Sequence, residues 1–364
     1  MAKVLVVDDS ALMRRLITQV FSDDGHVVRT ARNGEDAVAA LTVFEPDAIT
    51  LDINMPAMDG LTALSLIMAT RPTPVIMVSS LTAQGAMATF EALALGAVDY
   101  VTKPGGTISL SVDEIREQLL SKLRAALRSR PRAAGSSARA ASRNAAPPRK
   151  AAPPGVSSGD VPLVLVGVST GGPRALEDIL PKLPADYPAA VLVAQHMPSQ
   201  FTDSFARRLD SICPMRVREA SSPMPVEPGT IYIARGGHDM IVDRRLGRLV
   251  VAPVPERSNV LWHPSVDVMV ETALKHVDPR RTLGVLLTGM GDDGARTMAQ
   301  LHQQGGHTVA ESERSSVVFG MPQELIRRGG ASVVLDSGAI GGHMQIWARD
   351  LYKQTGAIHG TQAR

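Results

Sequence analysis

Residues 161–173 read VPLVLVGVSTGGP. A half-buried strand alternates apolar and polar positions, whereas this run is apolar almost throughout. Such a strand is buried on both faces and belongs in a parallel sheet covered by helices. It ends in a glycine-rich turn, and Pro173 stands where a first helical residue is expected. The same grammar returns in AAVLVAQH (189–196) and LGVLLTG (283–289), each leading toward a helical segment. In the first half, VLVV (4–7), VVRTA (27–31), AITL (48–51), VIMV (75–78) and YVT (100–102) alternate with segments of helical period such as ALMRRLITQVF (11–21) and EDAVAALTVF (35–44). The fold class is therefore α/β twice over: a (βα)5 unit with a parallel sheet, of flavodoxin-like type, followed by a doubly wound, mostly parallel α/β unit. An irregular, β-rich insert is expected in the second from about Met215 to Val254.

Between the two units the composition changes. From Ala125 to about Asp160 the chain is rich in Ala, Pro, Arg and Ser, with no acidic residue between Glu117 and Asp160. This stretch is expected to be a flexible tether. The boundaries expected are thus 1–124, a linker over 125–160, a second domain over 161–355 and a tail over 356–364. The total of 364 residues suits two domains of ordinary size. Aromatics at 3% are too scarce for a stacking platform on single-stranded nucleic acid, and no helix-turn-helix pattern follows the linker. No nucleic-acid partner is expected. Cys213 is the only cysteine, which suits a reducing compartment, and the N-terminal MAKVLVVDDS meets acid where a signal peptide would stay apolar. No apolar run approaches the roughly 20 residues that span a bilayer, so a cytoplasmic address without membrane insertion is expected.

The polar residues at the strand ends of the first half form a set. Asp8 and Asp9 close the first strand, Asp52 the third, Ser79 and Ser80 the fourth, and Lys103 the fifth. Any one acid at a strand end is ordinarily a turn or cap residue. Three carboxylates on one edge repel one another unless a cation lies among them, and a hard oxygen set suits magnesium with room for a phosphate oxygen. Asp52 would then be the nucleophile toward a phosphoryl donor.

This set, with Pro104 after the lysine, resembles the receiver domains of two-component response regulators over residues 1 to about 120. The resemblance implies that Asp9 and Asp52, with the carbonyl of Asn54, hold Mg2+ while Asp8 supports them. It implies further that Ser79 and Lys103 bind the phosphoryl oxygens and that Tyr100 is a switch aromatic. Added charge at Asp52 would draw Ser79 inward and let Tyr100 repack.

In the second half, Gly167, Ser169 and Gly171 satisfy G-x-S-x-G in a strand-turn-helix setting, which exposes a serine hydroxyl. The pattern alone is ambiguous, because such a turn can equally cradle a phosphate. A dinucleotide site would want an acidic residue about 20 positions on, at the end of the next strand. That strand ends in Gln195-His196, an imidazole suited to general base work. The third strand delivers Met290-Gly291-Asp292-Asp293-Gly294 to the same edge, so a nucleophile, a base and an orienting acid converge from three strand ends. Ser265 is expected to be an N-cap, and His238 and His263 are expected to be loop residues.

The blocks GVSTGGP, AQHMPSQFT, HPSVDV, LTGMGDDGA and VFGMP resemble the chemotaxis-type protein-glutamate methylesterases and protein-glutamine glutaminases, in the same receiver, linker and catalytic order. The resemblance implies a catalytic Ser169, His196 and Asp293, with Asp292 facing solvent and no cofactor at the hydrolase site. Backbone N–H groups near Thr170 and Met290 are expected as oxyanion donors. The implied substrates are glutamyl γ-methyl esters and glutamines of methyl-accepting chemoreceptors, and the implied phosphodonor is a histidine kinase of the chemotaxis type. Phosphorylation would relieve an inhibitory cover over the substrate cleft. The competing expectation is a response regulator whose second half only binds a nucleotide or a partner.

Overall fold

The computed structural model describes residues 1–80, 82–103, 112–129, 161–258 and 260–360. The chain divides into two units, Met1–Asn144 and Ala145–Arg364. Pro104 and the linker beyond residue 129 lie outside the described residues.

The first unit is built from β1 (Lys3–Val7), α1 (Ala11–Asp23), β2 (Val27–Ala31), α2 (Gly34–Phe44), β3 (Ala48–Asp52), α3 (Gly60–Thr70), β4 (Val75–Ser79), α4 (Ala83–Leu95), β5 (Asp99–Thr102) and α5 (Val112–Arg128). Its five strands are parallel in the order β2-β1-β3-β4-β5. The apolar runs read as doubly buried are so: β3 and β4 are buried at every position. The more polar β2 lies at an edge and is mostly exposed. Helix starts follow local chemistry. Ser10, Asn33, Asp59 and Thr82 each accept a hydrogen bond from the backbone N–H three residues on, capping α1 to α4. Helix α5 continues to Arg128, into the stretch expected to be linker, because Ala125 and Ala126 are buried.

The second unit contains β6 (Leu163–Val168), α6 (Gly172–Ile179), β7 (Ala190–Gln195), α7 (Ser199–Ile212), β8 (Arg216–Ala220), β9 (Met224–Pro225), β10 (Thr230–Ala234), β11 (His238–Arg245), β12 (Arg248–Pro255), α8 (Val266–Ala273), β13 (Thr282–Leu286), α9 (Ala295–Gln303), β14 (His307–Glu311), α10 (Met321–Arg327), β15 (Val333–Leu335) and α11 (Ser337–Gly360). Seven parallel strands run in the order β15-β14-β13-β6-β7-β10-β8. The segment expected to be an irregular insert is thus divided. Strands β8 and β10 complete the main sheet, and only β9, β11 and β12 form a separate antiparallel sheet. Helix α11 likewise runs into the expected tail. Strand β6 is central, and the order departs from it on either side. That makes its carboxyl end the topological switch point where ligands bind in such sheets.

Candidate functional site

Register builds the site of the first unit. Val7 pairs with Leu51, so the next residues, Asp8 and Asp52, emerge side by side. Ser79 pairs with Thr102, which brings Lys103 alongside, and the Lys103 N–H donates to the Ser79 carbonyl at 2.7 Å. Lys103 Nζ lies 3.0 Å from Asp8 Oδ2 and 2.8 Å from Asp52 Oδ2. Burial raises the Asp52 carboxyl above its ordinary pKa even though Lys103 opposes it. Burial also works against the Lys103 ammonium, yet Asp52 and Asp8 hold its pKa up.

Asp8, Asp9 and Asp52 each bring an oxygen within 4.8 Å of the others, with Asp9 exposed and the other two buried. Two buried carboxylates beside a third acid open to solvent, each with an oxygen in reach of the others, fit a hard divalent cation. Asn54 lies exposed two residues beyond Asp52. The Ser79 hydroxyl donates to the Gly85 carbonyl of α4 at 3.2 Å. Tyr100 is buried, its phenol pushed well above the ordinary range by that burial, with the Lys122 ammonium 4.8 Å from its ring centre.

In the second unit, Gly167 pairs with Leu286 on one side and Ala194 on the other, and Val168 pairs with Gln195. Ser169 and His196 are therefore the next residues on neighbouring strands. The Ser169 N–H donates to Thr288 O at 3.0 Å, and the Gly172 N–H to Ser169 O at 2.8 Å, which closes the nucleophile turn. Gly171, at φ +79°, occupies a left-handed position that disfavours any side chain, and a Cβ there would meet Val317 at 2.6 Å. Gln195 joins the two strand ends, its Nε2 donating to Ser169 O at 3.1 Å and His196 O at 3.0 Å.

His196 Nε2 lies 2.8 Å from Asp293 Oδ2. Asp293 is only 6% exposed, and its other contacts are all donors: Ser265 Oγ at 3.0 Å, the Val266 N–H at 2.7 Å and the Asp267 N–H at 3.0 Å. Burial works to raise this carboxyl, but His196 and the two backbone N–H groups outweigh it, and its pKa falls below the ordinary value. An ionised Asp293 requires the proton on Nε2, which leaves Nδ1 as the basic nitrogen. Nδ1 is buried and makes no hydrogen bond. Asp292 is exposed and pairs with Arg328 Nη2 at 3.6 Å.

The remaining expected residues are placed as follows. Ser265 caps α8 through the Val268 N–H while its hydroxyl donates to Asp293. His263 lies 3.0 Å from the buried Asp239, and His238, expected in a loop, opens β11. Thr170 and Met290 lie in the turns after β6 and β13, and among the described residues their N–H groups meet no acceptor.

Two family models match the chain: the CheB methylesterase over residues 164–344 and the response regulator receiver domain over residues 4–112. A protein-glutamate methylesterase/protein-glutamine glutaminase of Rhodospirillum rubrum is 54% identical over 356 residues, covering 95% of this chain and 96% of that protein. The chain belongs to the protein-glutamate methylesterase/protein-glutamine glutaminase family. A relative of the same name from Caldanaerobacter subterraneus is 47% identical over 91% of this chain and 92% of its own length. Among solved structures, the Thermotoga maritima CheB methylesterase catalytic domain matches with 36% identity and a TM-score of 0.49, over 51% of this chain and 98% of that one.

Three residues of the methylesterase unit were not found from sequence. Trp262 stacks on His196 with ring centres 5.0 Å apart and planes 5° apart. Asp239, fully buried, accepts from the Ser265 N–H at 2.9 Å and fixes the approach to α8. Gly289 lies so close to the nucleophile that a Cβ would fall 2.8 Å from Ser169 Cβ and collide with Met321 Sδ. Only Gly289 left a signal, the glycine beside a strand end in LTGMG. No helix among the described residues is long and apolar enough to cross a membrane.

Proposed function

We propose that this chain is a phosphorylation-activated hydrolase that demethylates glutamyl γ-methyl esters, and deamidates glutamines, on the cytoplasmic parts of chemoreceptors. The observation that carries this reading is the chain His196–Asp293 at the carboxyl end of β7, in register with Ser169 at the end of β6. The Ser169 hydroxyl attacks the ester carbonyl carbon while His196 Nδ1 takes its proton. The N–H groups of Thr170 and Met290 hold the developing oxyanion. His196 returns the proton to the leaving oxygen, methanol departs, and water attacks the acyl-serine by the same route. With a glutamine substrate, ammonia leaves in place of methanol. Asp293, ionised and saturated with donors, keeps the imidazole in the required tautomer throughout.

In the receiver unit, an Asp52 oxygen attacks the phosphorus of a histidine kinase's phosphoryl group, and the donor nitrogen leaves with the bonding pair. Asp8, Asp9, Asp52 and the Asn54 carbonyl would hold Mg2+, which supplies neutralisation of phosphoryl charge. Lys103 binds a phosphoryl oxygen, and Ser79 exchanges the Gly85 carbonyl for another. Such a partnership places the protein in the cytoplasm.

The assignment is tested by methanol release from methylated receptor cytoplasmic fragments. Wild type is expected to turn over, with Ser169→Ala and His196→Gln reduced by roughly 10³-fold or more. Wild-type turnover by Ser169→Ala would remove the serine from the mechanism and favour a second domain that only binds.

A further inference from the structure

His196 is held at one nitrogen by Asp293, and a single hydrogen bond leaves a ring free to swing about its own N–H···O axis. Swinging would move Nδ1, which has no hydrogen-bond partner to hold it, relative to the neighbouring strand end that carries Ser169. The structure supplies the missing constraint on the ring's face. The Trp262 indole lies flat against the imidazole, with centres 5.0 Å apart and planes 5° apart. The indole is half-buried. Its edge lies against Gly291, where a Cβ would stand 3.7 Å from Cζ2 and Nε1. The loop that carries it is tied down immediately afterwards by Asp239, which takes both His263 Nδ1 and the Ser265 N–H. Asp293 holds the far side of the same segment through Ser265, Val266 and Asp267.

The geometry points to Trp262 as a positioning residue for the hydrolase reaction: it fixes the plane of the His196 ring, whose Nδ1 carries no other hydrogen bond, and its π face favours the imidazolium formed when Nδ1 takes the Ser169 proton. Stacking of this kind discriminates between the two states of the ring, because an indole attracts a cation more than a neutral imidazole. It also acts on orientation, to which proton transfer from the nucleophile is steeply sensitive. The inference rests on His196 being the base for Ser169, as proposed above. Leu261, next to Trp262, is 82% exposed, so the loop also faces solvent, and contact with substrate must be separated from an effect on His196.

The separation uses the full chain, activated with a small phosphodonor, as wild type, Trp262→Phe, Trp262→Leu, Trp262→Met and Ser169→Ala. Two quantities are measured: kcat and KM for methyl ester hydrolysis on receptor fragments, and the rate of inactivation by phenylmethanesulfonyl fluoride. In the second reaction the serine oxygen displaces fluoride from sulfur and its proton passes to the histidine, with no receptor present. Trp262→Leu and Trp262→Met are expected to lose kcat by roughly 10- to 100-fold with KM changed less than about threefold, and to lose inactivation rate in proportion. Trp262→Phe, which keeps an aromatic face, is expected to stay within about fivefold of wild type in both. The inference is overturned if both aliphatic variants match wild type, if Phe loses as much as they do, or if their loss falls in KM while the sulfonyl fluoride rate is unchanged. Wild-type turnover by Ser169→Ala would instead overturn the hydrolase mechanism on which the inference stands.

Discussion

Asp293 and Asp292 are adjacent acids in opposite circumstances, one buried among four donors and the other paired at the surface with Arg328. Because every partner of Asp293 donates, an amide at 293 must turn its NH2 against one of them. Asp293→Asn is expected to lower kcat by about 10⁴-fold, whereas Asp292→Asn is expected to stay within about threefold, both read from steady-state ester hydrolysis. Asp293 also has a pH signature. Its folded pKa is depressed, so its contribution to stability is full above the ordinary carboxylate range and is lost as pH falls through the lower folded value. Melting curves of wild type and Asp293→Asn should accordingly converge as pH falls below about 4. Serine, histidine and acid were legible in sequence because each stands one step beyond a buried strand or in the turn that follows. Trp262 and Asp239 were not, because they reach the site from a loop and from the antiparallel sheet, whose placement no periodicity reports.

Elements bring these residues together, and their local chemistry can be tested separately. Ser265 caps α8 and also donates to Asp293, so Ser265→Ala should cost about 0.5–2 kcal/mol in denaturant unfolding, the range of a lost N-cap, and should lower turnover as well. Gly289→Ala is expected to displace Ser169 and Met321 and reduce kcat at least tenfold. Gly342→Ala, in α11 with nothing near its Cβ position, is expected to leave activity unchanged and to raise the melting temperature slightly. Strands that are mostly apolar and buried at every position, such as β3, β4, β6 and β7, could be read directly. β8 could not, because RVREA sits at the sheet edge with alternate residues exposed and resembles a strand of a small two-sided sheet.

For the molecule as a whole, the two units have different electrostatic economies. Asp52, unlike Asp293, has a raised pKa in the folded state. A carboxyl raised on folding stabilises the fold below its unfolded pKa and loses that contribution as pH rises through the folded value, so at neutral pH its charge weakens the receiver. Asp52→Asn is expected to raise the melting temperature of the first unit in magnesium-free buffer. Added Mg2+ should stabilise wild type more than the variant. On the function proposed above, a cation or phosphoryl group bound at Asp52 would relieve that charge, and this coupling would make the receiver a switch. The central claim, that chemistry at Asp52 governs hydrolysis at Ser169, is met most directly by methanol release from methylated receptor fragments, with and without a small phosphodonor. The donor is expected to raise the turnover of wild type severalfold or more, to leave Asp52→Asn at its basal rate, and to do nothing for Ser169→Ala. Equal turnover by wild type and Asp52→Asn in the presence of the donor would contradict that claim.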